Sequence, residues 1–199
     1  MHHDPRALRL ASILRVVLLV APLFARLAVA AEPVTVVRAA RLYDGKAEAI
    51  VTPGVVVVSE GRIVAAGSAA TVPSGARVID LGDATLLPGL IDAHTHLSFE
   101  SSLDWKQDQL DGLKRPIPEQ ALRATEYTRR TLLAGFTTVR DVGSSDLIDV
   151  SLRNAINAGT ILGPRMVVAV NAIGSRGGHC DPTGGFRPEL LKEPGPEQG

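Results

Sequence analysis

The sequence has little cysteine and no excess of charge of either sign. Its single cysteine, Cys180, excludes a disulfide scaffold, because one thiol cannot form a bridge within the chain. Equal numbers of basic and acidic side chains, 21 of each, exclude a strongly basic nucleic-acid-binding protein and a charged disordered tail. What is present is 45% hydrophobic residues with 19 glycines and 13 prolines, which indicates an ordinary globular chain of about one domain with many turns.

The first 30 residues have the order of a secretory signal peptide. Arginines precede an apolar run at residues 16–25, and Ala28-Val29-Ala30 then supplies the small-x-small pattern that a signal peptidase reads. A membrane anchor is the alternative, but this run is about 10 residues long and a spanning helix needs roughly 20. We therefore expect residues 1–30 to be removed and the protein to be exported, as a periplasmic or secreted protein without a stable membrane anchor.

Residues 31–85 contain short β-rich runs separated by turn signals. Such runs lie at 34–37, 55–58 and 77–80, and Glu60-Gly61 fits a tight hairpin turn. The regular spacing of the turns predicts a small antiparallel sheet or half-sandwich of about 50 residues. We assign this stretch to an N-terminal β-sandwich segment.

From residue 86 onwards the pattern alternates between strands and helices. The predicted elements are a strand at 86–91, a helix at 118–134, a strand at 136–142, a second helix ended by Gly159, and a strand at 166–170. In the second helix, Ser145 is the predicted N-terminal cap and Asp149 the predicted ion-pair partner of Arg153. This alternation is typical of a parallel sheet or barrel.

The last residues, 174–199, are rich in glycine and proline and have no apolar periodicity. A structureless stretch of that length within a compact domain indicates a functional loop or a cut chain. We therefore interpret residues 86–199 as the first part of a truncated barrel, with about three strands. We expect the chain alone to be inactive.

A pair of histidines follows the first of these strands, in Asp92-Ala93-His94-Thr95-His96. Because side chains alternate along a strand, Asp92, His94 and His96 are expected on one face, with the two imidazoles about 7 Å apart. Two imidazoles at that spacing can converge on one divalent metal ion, and Asp92 could orient a ligand by a hydrogen bond. The alternative is an exposed strand end whose histidines bind nothing.

Longer stretches of the sequence resemble a known superfamily. Residues 87–96, Leu-Pro-Gly-Leu-Ile-Asp-Ala-His-Thr-His, are similar to the first barrel strand of the amidohydrolase superfamily, and residues 135–143 are similar to its second strand. Residues 177–183, Gly-Gly-His-Cys-Asp-Pro-Thr, resemble a loop of the imidazolonepropionase-like branch, which includes secreted Xaa-Pro dipeptidases. The resemblance covers essentially the whole chain after the predicted signal peptide.

The resemblance implies an α/β fold, a (β/α)₈ barrel of the TIM type that follows the β-sandwich segment. It also implies one or two divalent metal ions, usually zinc, with His94 and His96 as ligands of the more buried ion. The family's other ligands are a carboxylated lysine, two further histidines and a final-strand aspartate that shuttles a proton. None of these lies within this chain.

The implied activity is hydrolysis of an amide C–N bond, in a dipeptide or an N-acyl amino acid. The alternatives are hydrolysis of a cyclic amide, as in imidazolonepropionase, and a non-catalytic metal-binding or interaction module that lacks the later ligands. The expected partner is a small-molecule substrate and not a nucleic acid, and an oligomer is possible.

Three further residues have weaker predicted roles. His179 lies in a Gly-rich loop after the third strand, where barrel loops build substrate pockets, and is a candidate for substrate binding. Its neighbour Cys180 replaces the family's usual glycine, and we read it as tolerated variation rather than a nucleophile. Asp141, at the end of the second strand, is expected either to brace the site or to form a structural ion pair.

Overall fold

The computed structural model describes residues 34–46, 48–175, 178–181 and Glu189. The predicted signal peptide and its cleavage site therefore lie outside the described residues, as does most of the glycine- and proline-rich end. The chain divides into two compact units between Pro88 and Gly89. In the part that the structure describes, no helix combines the length and the apolar character needed to cross a membrane.

The described part of the first unit, from residue 34 onwards, contains six strands. They are β1 (Thr35–Ala39), β2 (Arg41–Leu42), β3 (Gly54–Ser59), β4 (Arg62–Ala66), β5 (Arg77–Asp80) and β6 (Thr85–Leu86). Four of them form a sheet in the order β4-β3-β1-β5, and β2 pairs with β6 in a second, two-stranded sheet. Val36 of β1 and Val55 and Val57 of β3 form the buried core.

The predicted hairpin is confirmed, and the predicted antiparallel pairing holds for β1, β3 and β4 but not for β5. Glu60 and Gly61 both have positive φ, 50° and 69°, which matches the right-handed twist of the strands that they join. By contrast, β5 runs parallel to β1. A tight turn forces antiparallel pairing, whereas the longer stretch at 67–76 between β4 and β5 allows the chain to return in the parallel direction.

The second unit alternates strands with helices, as the sequence predicts. Its elements are β7 (Leu90–Thr95), α1 (Trp105–Lys114), α2 (Ile117–Leu133), β8 (Phe136–Asp141), α3 (Ile148–Asn157) and β9 (Arg165–Val168). The three strands form a parallel sheet in the order β7-β8-β9. Helices α2 and α3 pack together and against the sheet, around a core of Leu97, Ala124, Val139, Ile148, Leu152 and Met166.

Helix α1 is an addition that the sequence pattern did not predict. It starts at an N-terminal cap in which the Asp104 side chain accepts a hydrogen bond from the Gln107 N–H, and none of its residues is buried. Trp105 is 67% exposed, whereas Tyr127 on α2 packs against the core. A helix without a buried face has no apolar stripe for periodicity to detect.

The start of α3 differs from the predicted one. Leu147, with φ of 59° and no side-chain hydrogen bond, occupies the N-cap position in place of Ser145. The predicted ion pair of Asp149 and Arg153 is also wrong. Asp149 is fully buried and accepts a hydrogen bond from the backbone N–H of Val170, while Arg153 bonds to a neighbouring asparagine.

Candidate metal centre

The two histidines lie side by side at the carboxyl end of β7. The ring centroids of His94 and His96 are 5.5 Å apart, with the ring planes at 75°. His94 is exposed and His96 is half-buried. In a parallel sheet with helices, the carboxyl ends of the strands form the edge at which ligands bind. The pair therefore stands where a metal or substrate site is expected.

Strand β7 has a β-bulge just before its end. Asp92 pairs with Val139 and Thr95 pairs with Asp141, so three steps along β7 match two steps along β8. Cross-strand partners share a face of the sheet. Val139 lies in the core with Ala124 of α2. Asp92 and Thr95 therefore lie on the face of the sheet that the helices cover.

The expectation that Asp92 shares a face with His94 and His96 is accordingly wrong, because the extra residue of the bulge breaks the alternation. The Asp92 side chain lines a groove of about 400 Å³ together with Tyr127 and Thr131 of α2. Its Oδ1 accepts a hydrogen bond of 3.0 Å from the backbone N–H of His94. Any effect of Asp92 on this histidine therefore passes through the main chain rather than through the ring.

The His96 ring is held from two sides. Its Nδ1 lies 2.7 Å from the carbonyl oxygen of Gly143, and the ring of Phe99 stacks on it with centroids 5.5 Å apart. A carbonyl oxygen only accepts, so Nδ1 carries a proton and donates, and in the neutral ring Nε2 then keeps its lone pair. Metal-binding histidines in proteins commonly have this arrangement, in which the second ring nitrogen donates to a fixed acceptor.

Asp141, at the end of β8, braces the backbone around this ring. The side chain is fully buried, and it accepts hydrogen bonds from the N–H of Leu97 at 2.7 Å and of Gly143 at 3.2 Å. Burial raises the pKa of the Asp141 carboxyl, and the nearby Asp149 carboxylate adds to this, while the two backbone hydrogen bonds and the charge of His96 oppose it. Of the two predicted roles, the structure shows backbone bracing.

A second buried carboxylate, Asp149, ties α3 to the end of β9. It accepts the N–H of Val170 at 2.9 Å, and the Val170 carbonyl accepts the N–H of Ser144 at 2.9 Å. Val170 has a φ of 70°, in the left-handed region that a β-branched residue rarely adopts. Our sequence reasoning placed Asp149 on the surface of the helix.

Residues 85–183 of the chain match the sequence model of the amidohydrolase family. The chain carries an amidohydrolase family domain. This confirms the resemblance inferred from the motifs around His94 and His179.

Individual relatives of this amidohydrolase domain include proteins with different substrates. A crystal structure of a Xaa-Pro dipeptidase with methionine bound in the active site is 36% identical, has a TM-score of 0.70, and matches 83% of this chain and 40% of its own. Ochratoxinase from Aspergillus niger is 29% identical over 153 residues, 74% of this chain and 30% of its own. Imidazolonepropionase from Ralstonia nicotianae is 47% identical over 57 residues, 27% of this chain and 14% of its own. The chain thus spans less than half the length of each of these three proteins.

The described residues offer two candidate metal ligands and no complete metal site. Within the described residues, no group of three or more His, Cys, Asp or Glu side chains is placed to hold an ion. A catalytic zinc site has three or more protein ligands, so His94 and His96 fit such a site as two of its ligands. Members of the family generally use divalent metal ions.

His179 and Cys180 lie in a short turn at residues 178–180. His179 is exposed, while Cys180 is half-buried and packs closely against Gly174, where an added Cβ would lie 2.7 Å from that of Cys180. Gly177, Pro182 and Thr183 of the same predicted loop lie outside the described residues. The role of His179 in substrate binding therefore stays a prediction.

A second groove, of about 430 Å³, lies next to Phe99. Its walls come from the loop after β7, from α1 and the start of α2, and from the loop before α3, and they include Phe99, Ser101, Asp108, Arg115, Arg123 and Ser145. Neither histidine lines this groove, but Phe99 does, and its ring stacks on that of His96.

Proposed function

We propose that this amidohydrolase domain is part of a metal-dependent hydrolase that cleaves an amide C–N bond in a dipeptide or an N-acyl amino acid. The observation that carries the proposal is the arrangement of His96, whose ring lies 5.5 Å from that of His94 and whose Nδ1 is bonded to the Gly143 carbonyl. Such a pair presents metal-binding nitrogens at the end of the sheet where barrel enzymes act.

In this proposal His94 and His96 hold the ion, which we propose to be zinc, together with ligands from outside the described residues. A divalent ion held there would lower the pKa of a bound water molecule toward about 7 and would polarise the carbonyl group under attack. The chain's own residues supply the support. Gly143 fixes the proton on Nδ1 of His96, and Asp92 orients His94 through its backbone N–H.

The groove beside Phe99 suits a small substrate. Its volume of about 430 Å³ is in the range of small-molecule sites, and its walls combine an aromatic ring with charged and hydroxyl side chains. The same mixture matches a dipeptide, which has an apolar side chain and charged ends. We propose His179 as a further substrate contact, on the rim formed by the loop after β9.

The substrate class follows the relatives that cover most of the chain. The Xaa-Pro dipeptidase structure and the ochratoxinase each match more than 70% of it. The imidazolonepropionase is more similar in sequence but over 57 residues only, which keeps hydrolysis of a cyclic amide as the second candidate. We further propose that the enzyme is exported, because of the charged, apolar and small-residue order of residues 6–30.

The test uses the complete gene product. Metal content and hydrolysis are measured for the wild type, His94→Ala and His96→Ala, with a panel of Xaa-Pro and other dipeptides, N-acyl amino acids and imidazolonepropionate. We expect dipeptide or N-acyl turnover in the wild type, and loss of both metal and turnover in the two variants. Turnover of imidazolonepropionate alone would favour the second candidate. Metal binding without any turnover would indicate a non-catalytic module, and full metal content in both variants would refute the proposed site.

A further inference from the structure

A single buried carboxylate connects the two backbone segments that hold the His96 ring. Asp141 Oδ2 accepts the N–H of Leu97, the residue that follows His96, at 2.7 Å. Its Oδ1 accepts the N–H of Gly143 at 3.2 Å, and the carbonyl of Gly143 accepts the Nδ1 proton of His96 at 2.7 Å. The backbone next to His96 and the Gly143 carbonyl that accepts from its ring are therefore both fixed by the Asp141 side chain.

We propose that Asp141 is the positioning residue that sets the orientation of His96 as a metal ligand. The inference rests on the proposed function, because it gives Asp141 a purpose only if His96 binds an ion. Asp141 acts on the ring indirectly. It bonds to the N–H of Leu97, which follows His96, and to the N–H of Gly143, whose carbonyl accepts from the ring.

The chemistry of the position supports this role over simple packing. Asp141 is fully buried, and a carboxylate in such a place costs more than an apolar or hydroxyl side chain of similar size. Both of its partners are N–H donors, so both oxygens must accept. Asparagine has one acceptor and one amino group, and that amino group would face a backbone N–H. Of the side chains of this size, only aspartate satisfies both donors.

Asp149 provides a matched control. It is also fully buried and also accepts a backbone N–H, that of Val170 at 2.9 Å. This bond lies at the end of β9, on the far side of β8 from the histidines. Asp141→Asn and Asp149→Asn both remove a buried acceptor, but the first acts directly on the N–H groups of Leu97 and Gly143, whereas the second reaches the Gly143–Ser144 peptide only through Val170.

The experiment measures cobalt binding by the complete gene product, with Co²⁺ as the probe because its visible spectrum reports the ligand geometry. The dissociation constant and the spectrum are compared for the wild type, Asp141→Asn, Asp149→Asn and His96→Ala. We expect Asp141→Asn to weaken cobalt binding by about 10- to 100-fold, the usual effect of losing a group that orients a metal ligand, and to alter the spectrum. Asp149→Asn is expected to keep the wild-type spectrum and affinity within about twofold, although it lowers stability to a similar degree.

The outcomes separate this inference from the proposed function. If the wild type binds no cobalt, or if His96→Ala binds it as well as the wild type, both are overturned. If cobalt binding is lost in His96→Ala but unchanged in Asp141→Asn, only the positioning role is overturned. Equal weakening in Asp141→Asn and Asp149→Asn would also overturn it, since that result describes a general loss of structure.

A second variant serves if Asp141→Asn does not fold. In Gly143→Ala the new Cβ would lie 2.7 Å from the Cβ of Ala172, so residue 143 must shift and carry its carbonyl away from His96. We expect weaker cobalt binding and an altered spectrum here too, with partial recovery when Ala172→Gly is added. Wild-type affinity in a folded Gly143→Ala protein would overturn the inference.

Discussion

Val170 is a position at which glycine should be tolerated far better than at its neighbours. Its φ of 70° places a β-branched side chain in the left-handed region, which costs about 1–2 kcal/mol for an ordinary residue. Two hydrogen bonds keep it there: its N–H donates to the Asp149 side chain, and its carbonyl accepts from the N–H of Ser144. The perturbation is Val170→Gly, which removes that strain.

The size of the effect follows from three contributions. Val170 is half-buried, so loss of its side chain costs about 1 kcal/mol, half of what a fully buried valine contributes. Glycine lowers the free energy of unfolding further, by about 0.5–1 kcal/mol, because it has greater freedom in the unfolded chain. Relief of about 1–2 kcal/mol of strain offsets most of this, and we expect the free energy of unfolding to fall by less than about 1 kcal/mol.

Val168→Gly is the matched control. Val168 is also a half-buried valine, but it lies within β9 and is not among the residues with positive φ. It has no strain to lose, so the same substitution should lower the free energy of unfolding by about 2 kcal/mol. Urea denaturation of the complete gene product, followed by circular dichroism, gives the difference between the two variants. Equal losses would refute the argument, because they would show that Val170 is not strained.

Three other predictions concern the site and the ends of the chain. His96→Ala should lower metal content and remove most activity, whereas His179→Ala should raise KM or lower kcat/KM and keep the metal, as measured by metal analysis and steady-state kinetics. Because the pKa of Asp141 is raised in the folded protein, the native state binds more protons, and this group's contribution to stability falls as pH rises from 3.8 through the folded pKa. Urea midpoints over that range should therefore fall less with pH in Asp141→Asn than in the wild type, and equal slopes would contradict the raised pKa. Mass spectrometry of exported protein should find its N-terminus at Ala31 or Glu32, and an intact Met1 would refute the signal peptide.

The elements of the second unit could be predicted from the sequence wherever a buried face imposes a period. The stripe of α2 and the apolar run of β8 are both confirmed, and Gly135 and Gly159 end their helices with positive φ, as their positions suggest. Helix α1 has no buried face and gave no such signal.

The face on which Asp92 lies could not be predicted in the same way. Alternation along one strand assumes regular pairing, and a bulge depends on how β7 and β8 align, which no local pattern of β7 records. The burial of Asp149 and the left-handed Val170 have a similar origin. Each depends on a hydrogen bond across 21 residues of chain, and composition around either residue does not reveal it.

The lack of any buried residue in α1 has a consequence for how this domain can change. Its residues, among them Asp108 and Leu113, line the groove beside Phe99, yet none of them is buried. Substitutions on the surface usually alter stability by less than about 0.5 kcal/mol. This wall of the groove is thus free to vary under selection while the sheet and the histidine pair stay intact. Under the proposed function, single mutations in α1 can therefore change the substrate preference with little penalty to folding.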